Sequence, residues 1–167
     1  MRKSLILIAV LVVAACAPGK PSPKAQTVSP AEAQAVLAKA KAEPGAQTTA
    51  SGLVYRVVRS GPADGMRPQV TDEVKVHYEG KFPDGTVFDS SYERGAPAAM
   101  PLGGLIDGWR EALQLMRPGD EWILTVPSEL GYGPEGAGDG AIPGGAVLIF
   151  RIELIDVLPG PGRTGLG

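Results

Sequence analysis

Apolar and polar positions change period several times along the chain, and each change marks an element. "EVKVHYEG", residues 73–80, alternates strictly, with Val74, Val76 and Tyr78 on one side and Lys75, His77 and Glu79 on the other. That is the pattern of a half-buried strand. "PDG" at 83–85 reads as a turn, and "TVFDSS" returns as the second arm of a hairpin. Upstream, "GLVYRVV" is rich in strand formers and runs into the turn "SGPADG". The period then switches. In "LIDGWREALQLM", Trp109, Ala112, Leu113 and Met116 fall at i, i+3, i+4 and i+7, one face of a short helix that "RPGD" stops. Alternation resumes in "EWILTVP", with Trp122, Leu124 and Val126 on one face, and in "AVLIFRIELIDV", with Leu148, Phe150, Ile152 and Leu154 inward. A sheet with one apolar face needs a cover, and the helix supplies it. The pattern predicts an α+β domain over residues 50–158, a twisted antiparallel sheet wrapped around one short helix.

The chain before this domain reads differently. "MRKSLILIAVLVVAAC" sets Arg2 and Lys3 ahead of an apolar run from Leu5. The run is about eleven residues, shorter than the roughly 20 of a bilayer span, and fits an export leader. "VAAC" resembles the bacterial lipobox, which implies cleavage after residue 15 and a lipid on Cys16, the only cysteine. A lone thiol makes no internal disulfide, and lipidation gives it a purpose. A soluble export signal with a chance cysteine is the alternative. The expected location is the cell envelope, with the chain anchored through Cys16. Ala17, where an aspartate would favour the inner membrane, points to the outer membrane facing the periplasm.

Residues 16–28 have little to bury and predict a flexible tether. Over 29–44, Ser29, Pro30 and Glu32 form a helix start with a capping box, and Pro44-Gly45 ends it. Its only large apolar residues are Val36 and Leu37. It reads as a spacer or as a small partner-binding or dimerisation helix. Residues 159–167 are turn formers and predict a disordered tail.

Charge and composition exclude more than they assign. Leader removal takes two of the 16 basic residues and none of the 18 acidic ones, moving the formal charge from −2 to −4. A nucleic-acid binder should show a basic patch and a high pI, so none is expected. One His and one Cys cannot make a standard structural zinc site. His77 falls on the polar face of its strand and reads as a solvated imidazole. The Gly-rich loop "GYGPEGAGDGAIPGG" lacks the Lys-Ser/Thr of a phosphate loop and reads as a flap. No cofactor is expected.

What remains is a set of inward aromatic and branched residues: Tyr78, Phe88, Ile106, Trp109, Tyr132 and Phe150. They are either core or the lining of an apolar pocket with a few polar groups. "VHYEG", "FDSS", "LIDGW", "GYG", "IP" and "LIFRIEL", in that order, resemble the FKBP-type peptidyl-prolyl cis-trans isomerases over about residues 49–157. "KAEPGAQTTASGLVYRVV" is similar to the macrophage-infectivity-potentiator branch of that family. The resemblance implies a proline pocket lined by Tyr78, Phe88, Asp89, Leu105, Ile106, Trp109, Tyr132, Ile142 and Phe150. Trp109 would form its floor, and the Ile106 N–H and Tyr132 hydroxyl would meet ligand carbonyls. It also implies proline-containing unfolded chains as partners, and macrolide inhibitors as ligands.

Two departures stand out. Ala98, Ala99 and Met100 occupy a strand where the family often has an aromatic, which predicts a less aromatic rim and weaker macrolide binding. The helix over 29–44 is far shorter than the dimerisation helix of that branch, so a monomer is favoured and a dimer stays open. The function implied is isomerisation of X–Pro bonds during protein folding in the envelope. A chaperone or binding module with the same pocket is the competing class, and a purely structural lipoprotein leaves the pocket residues unexplained. Asp89 reads as a brace that accepts a hydrogen bond from Tyr78 or Tyr132.

Overall fold

The computed structural model describes residues 27–161. Cys16, the leader, most of the tether and residues 162–167 lie outside the described residues. Helix α1 (Pro30–Lys41) comes first. Strands β1 (Ala46–Thr48), β2 (Val54–Arg59), β3 (Glu73–Lys81), β4 (Val87–Ser90) and β5 (Ala98–Pro101) follow. Helix α2 (Asp107–Leu115), β6 (Glu121–Val126) and β7 (Leu148–Leu158) complete the chain order. The strands form one antiparallel sheet in the order β1-β2-β6-β7-β3-β4, with β5 also on β3. This is the expected α+β architecture.

The helix and strand faces expected to be apolar are the buried ones. On α2, Trp109 is 4% exposed and Ala112, Leu113 and Met116 are fully buried. They join Trp122, Leu124 and Val126 of β6 and Leu148, Phe150, Ile152 and Leu154 of β7 in one core. Each Leu- or Met-sized side chain taken out of water contributes about 1.5–3 kcal/mol. The alternation on β7 breaks once. Lys75 pairs with Asp156 and Val76 with Leu154, so Ile155 is an extra residue and Val157 becomes the next inward side chain. A bulge of this kind adds one residue to one strand and shifts its facing by one.

The far edge of β3 is shared. β5 pairs with Glu73–Val76 and β4 with Glu79–Lys81. Between them Ser91 takes the place of a strand: its Oγ accepts the Tyr78 N–H at 2.8 Å and its own N–H donates to the Tyr78 carbonyl at 2.9 Å. Buried backbone groups must find such partners.

Four expectations need correction. The sheet begins at Ala46, ahead of residue 50; "AQT" has no apolar alternation and is held as an edge strand by β2, with the Tyr55 hydroxyl on Gln47 Oε1 at 2.9 Å. His77 is not freely solvated: its ring stacks on Tyr92 at 4.7 Å and its Nδ1 lies 2.9 Å from Ser91 Oγ. The tether is fixed at its end, where the Val28 N–H donates to the Gly144 carbonyl at 2.9 Å. The tail is held at its start, where the Gly160 N–H meets Asp72 Oδ1 at 2.9 Å.

Helix α1 has the expected capping box, with Glu32 Oε2 accepting the Ser29 N–H at 2.9 Å, but it buries none of its residues. The core therefore belongs to α2 and the sheet. Leu113→Ala should lower the unfolding free energy by about 2–5 kcal/mol. Ser29→Ala, which deletes the cap of α1, should move it by less than about 0.5 kcal/mol. Urea titrations of the two variants read both numbers.

Candidate active site

A cavity of about 310 Å³ opens between α2 and the sheet. Tyr78 comes from β3, Phe88 and Asp89 from β4, Met100 from β5, Trp109 from α2 and Phe150 from β7. Gly104, Leu105 and Ile106 enter from the turn before α2, and Tyr132 from the flap between β6 and β7. Trp109 lies at the bottom. The Tyr78 ring meets it at 5.1 Å and 80°, and the Phe150 ring at 5.2 Å and 89°. Phe88 meets Phe150 edge-on at 5.7 Å. Edge-to-face contacts of this kind suit aromatic quadrupoles and fix ring orientation.

Room for this cluster comes from Gly80. A Cβ at that position would stand 2.7 Å from the Phe88 ring and 2.8 Å from that of Phe150. A strand glycine often marks such a close approach.

Polar groups are few and fixed. The Tyr78 hydroxyl donates to Asp89 Oδ2 at 2.5 Å. Arg94 donates to Asp89 Oδ1, and its second nitrogen donates to the Tyr78 oxygen at 2.8 Å. The guanidinium also lies over the Tyr78 ring at 5.4 Å. Both oxygens of Asp89 are thus engaged. Burial pushes its carboxyl up, but the bonds from Tyr78 and Arg94 outweigh this and hold it below the usual carboxylate range. Burial raises the Tyr78 phenol, and the hydrogen bond to Asp89 adds to it. Burial also raises Tyr132, with a smaller push from the charge of Asp89.

Two donors of cavity-lining residues have no hydrogen-bond partner among the described residues. Among the hydrogen bonds of the described residues, none uses the Ile106 N–H, which stands at the cap of α2. Nor does any use the Tyr132 hydroxyl, whose residue is 39% exposed. The indole N–H of Trp109 is buried and unbonded, so this ring is kept for its apolar face at a cost of about 1–3 kcal/mol.

The structure brings together eight of the expected lining positions: Tyr78, Phe88, Asp89, Leu105, Ile106, Trp109, Tyr132 and Phe150. Ile142 is the exception. It pairs with Ala137 within the flap and packs on the core without lining the cavity. Cys16 lies outside the described residues. Met100, noted for its missing aromatic, supplies part of the wall, and Gly104 another part. Arg94 was missed. The signal was a partly buried acid in need of a cation, and Arg94 follows it by five residues.

Residues 65–155 match the FKBP-type peptidyl-prolyl cis-trans isomerases. The chain belongs to this family. It is 52% identical over 114 residues to an FKBP-type 22 kDa peptidyl-prolyl cis-trans isomerase of Escherichia coli, covering 68% of this chain and 54% of that one. It is 43% identical over 127 residues to an outer membrane protein MIP of Legionella longbeachae, covering 76% and 53%. The crystal structure of a peptidyl-prolyl cis-trans isomerase from Pseudomonas syringae superimposes with a TM-score of 0.71 at 37% identity, covering 80% of this chain and all of that one. The chain spans about half the length of the curated relatives it matches. This FKBP domain therefore carries the family's sheet and helix.

Folding lowers the Asp89 pKa, so its bonds stabilise the folded state above the ordinary carboxylate range. They are lost as pH falls through the lowered value. Asp89→Asn should be less stable than the parent at about pH 7, and the deficit should shrink as pH falls below the ordinary carboxylate range, read by urea titration across that range.

Proposed function

We propose that this protein catalyses cis-trans isomerisation of X–Pro bonds in unfolded or partly folded polypeptides. The observation that carries the reading is the Trp109 cavity: an aromatic floor and walls, with the Ile106 N–H and the Tyr132 hydroxyl left without a partner among the described residues and the Asp89 carboxylate held by Tyr78 and Arg94. Family membership supports the same conclusion.

The chemistry asks little more. Rotation about the amide meets a barrier of roughly 18–20 kcal/mol because it breaks resonance. The planar amide is charge-separated and water stabilises it; the twisted form has lost much of that separation. An apolar cavity therefore binds the twisted form better than the planar one, which is catalysis by differential binding. The prolyl ring sits on Trp109. The Ile106 N–H and the Tyr132 hydroxyl hold carbonyls on either side of the rotating bond. No proton moves, and Asp89 braces Tyr78 in the wall. A rate gain of about 10⁵ needs about 7 kcal/mol.

The proposed setting is the cell envelope. The leader residues and Cys16 support export and a lipid anchor, and a relative named as an outer membrane protein supports the outer membrane. Macrolide inhibitors would enter the same cavity, with Met100 giving a less aromatic rim than is usual in the family.

The deciding assay follows cis-to-trans isomerisation of X–Pro peptides by the full chain, with and without rapamycin. Catalysis abolished by the drug supports both the activity and the cavity. Catalysis that resists the drug keeps the activity and assigns the resistance to the Ala98–Met100 rim. A folded sample without catalysis overturns the isomerase reading in favour of a binding module. The cavity groups keep their charge states between the lowered Asp89 and the raised tyrosines, so kcat/KM should be flat from about pH 5 to 9. A bell-shaped profile would bring proton transfer back. Asp89→Ala should cost about tenfold in kcat/KM with the fold retained, and Tyr132→Phe about two- to tenfold, the worth of one hydrogen bond.

A further inference from the structure

Helix α1 buries nothing in the core, yet it forms one wall of a groove. The groove holds about 470 Å³, with Val28, Ala33 and Val36 on one side and Phe82, Pro143 and Val147 on the other. The bond from Val28 to Gly144 ties the α1 side to the root of the flap. The groove adjoins the catalytic cavity. The Phe82 ring, in the groove, lies 5.0 Å from that of Phe88, in the cavity wall. One aromatic pair is thus the partition, and a few extended residues at about 3.3–3.6 Å each would cross it.

Charge adds a preference. Among the described residues, the charged side chains lining the groove are Glu32 and Asp84. The hydroxyl of Ser29 holds Glu32 below its ordinary value, and the Thr86 N–H does the same for Asp84. Both are carboxylates at neutral pH, with no cation among the described lining residues to offset them.

We propose that this groove is a second subsite for the client. It takes an apolar stretch, bearing a lysine or arginine, of the same polypeptide whose proline occupies the Trp109 cavity. The proposal rests on the isomerase reading and extends it from a single proline to a longer segment.

The test compares a labelled Ala-Leu-Pro-Phe peptide with two peptides of about twelve residues. Each longer peptide has the same core plus a Val-, Leu- and Lys-containing extension, on its N-terminal or C-terminal side. With the full chain, one extended peptide should show a KM about tenfold below that of the short one, the worth of burying a valine-sized group. Val36→Glu should erase that gain and leave the short peptide's kcat/KM unchanged within about twofold. Exchanging the peptide's Lys for Glu should also remove it. Equal KM for all peptides, or an equal loss for short and long ones in Val36→Glu, overturns the subsite. Anisotropy titrations separate this from the isomerase reading. Val36-sensitive binding without turnover keeps the subsite and overturns the enzyme, whereas Val36-insensitive binding without turnover overturns both. A dimer in sedimentation that Val36→Glu dissociates would give the groove to a second copy and overturn the proposal. So would a gain that appears only after the residues ahead of Thr27 are removed.

Discussion

Strand β3 has to satisfy its backbone along two edges. β7 covers one edge over nine residues, but no single strand covers the other. β5 takes the first part and β4 the second, and the hand-over falls at Tyr78. Ser91 closes the gap with its hydroxyl and its own amide. This local solution orients Tyr78 toward α2 and starts the loop that brings Arg94 back over the ring. Asp89, on the neighbouring strand, then receives both the Tyr78 hydroxyl and the Arg94 guanidinium. The polar half of the site is thus a by-product of how one strand edge is completed.

The apolar half depends on α2. Four apolar residues in two turns bury against the sheet, and Trp109 belongs to the core as much as to the cavity. Gly80 removes the one side chain that would push Phe88 and Phe150 away from it. A cavity this deep in a small domain survives because its walls are also core. Leu105 and Ile106 add to it only at the mouth, where the chain turns into the helix. Backbone requirements and side-chain packing therefore meet at the same handful of positions.

Much of this was legible in the sequence because periodicity reports facing. Val74-Val76-Tyr78, Trp122-Leu124-Val126 and Trp109-Ala112-Leu113-Met116 are buried as their spacing predicts. The failures have physical causes. The β7 bulge inserts Ile155 and breaks a phase that local alternation cannot foresee. β1 has three residues and no apolar pattern, so only its partner β2 makes it a strand. His77 occupies a polar strand position, but Tyr92, fifteen residues on, folds over it. Arg94 sits in a loop, where spacing carries no facing. Ile142 belonged to the pocket by resemblance; in the structure it holds the flap to the core.

The two tryptophans occupy different worlds. Trp122, on β6, stacks nearly parallel on Tyr55, with ring centres 4.5 Å apart, and does not line the cavity. Trp109 forms the cavity floor, where the rings of Tyr78 and Phe150 meet it near right angles. A prolyl ring entering the cavity would change the dielectric around one indole and leave the other untouched, whereas unfolding changes both. The protein's own emission thus carries two channels, one for occupancy and one for integrity, with the second as internal reference for the first.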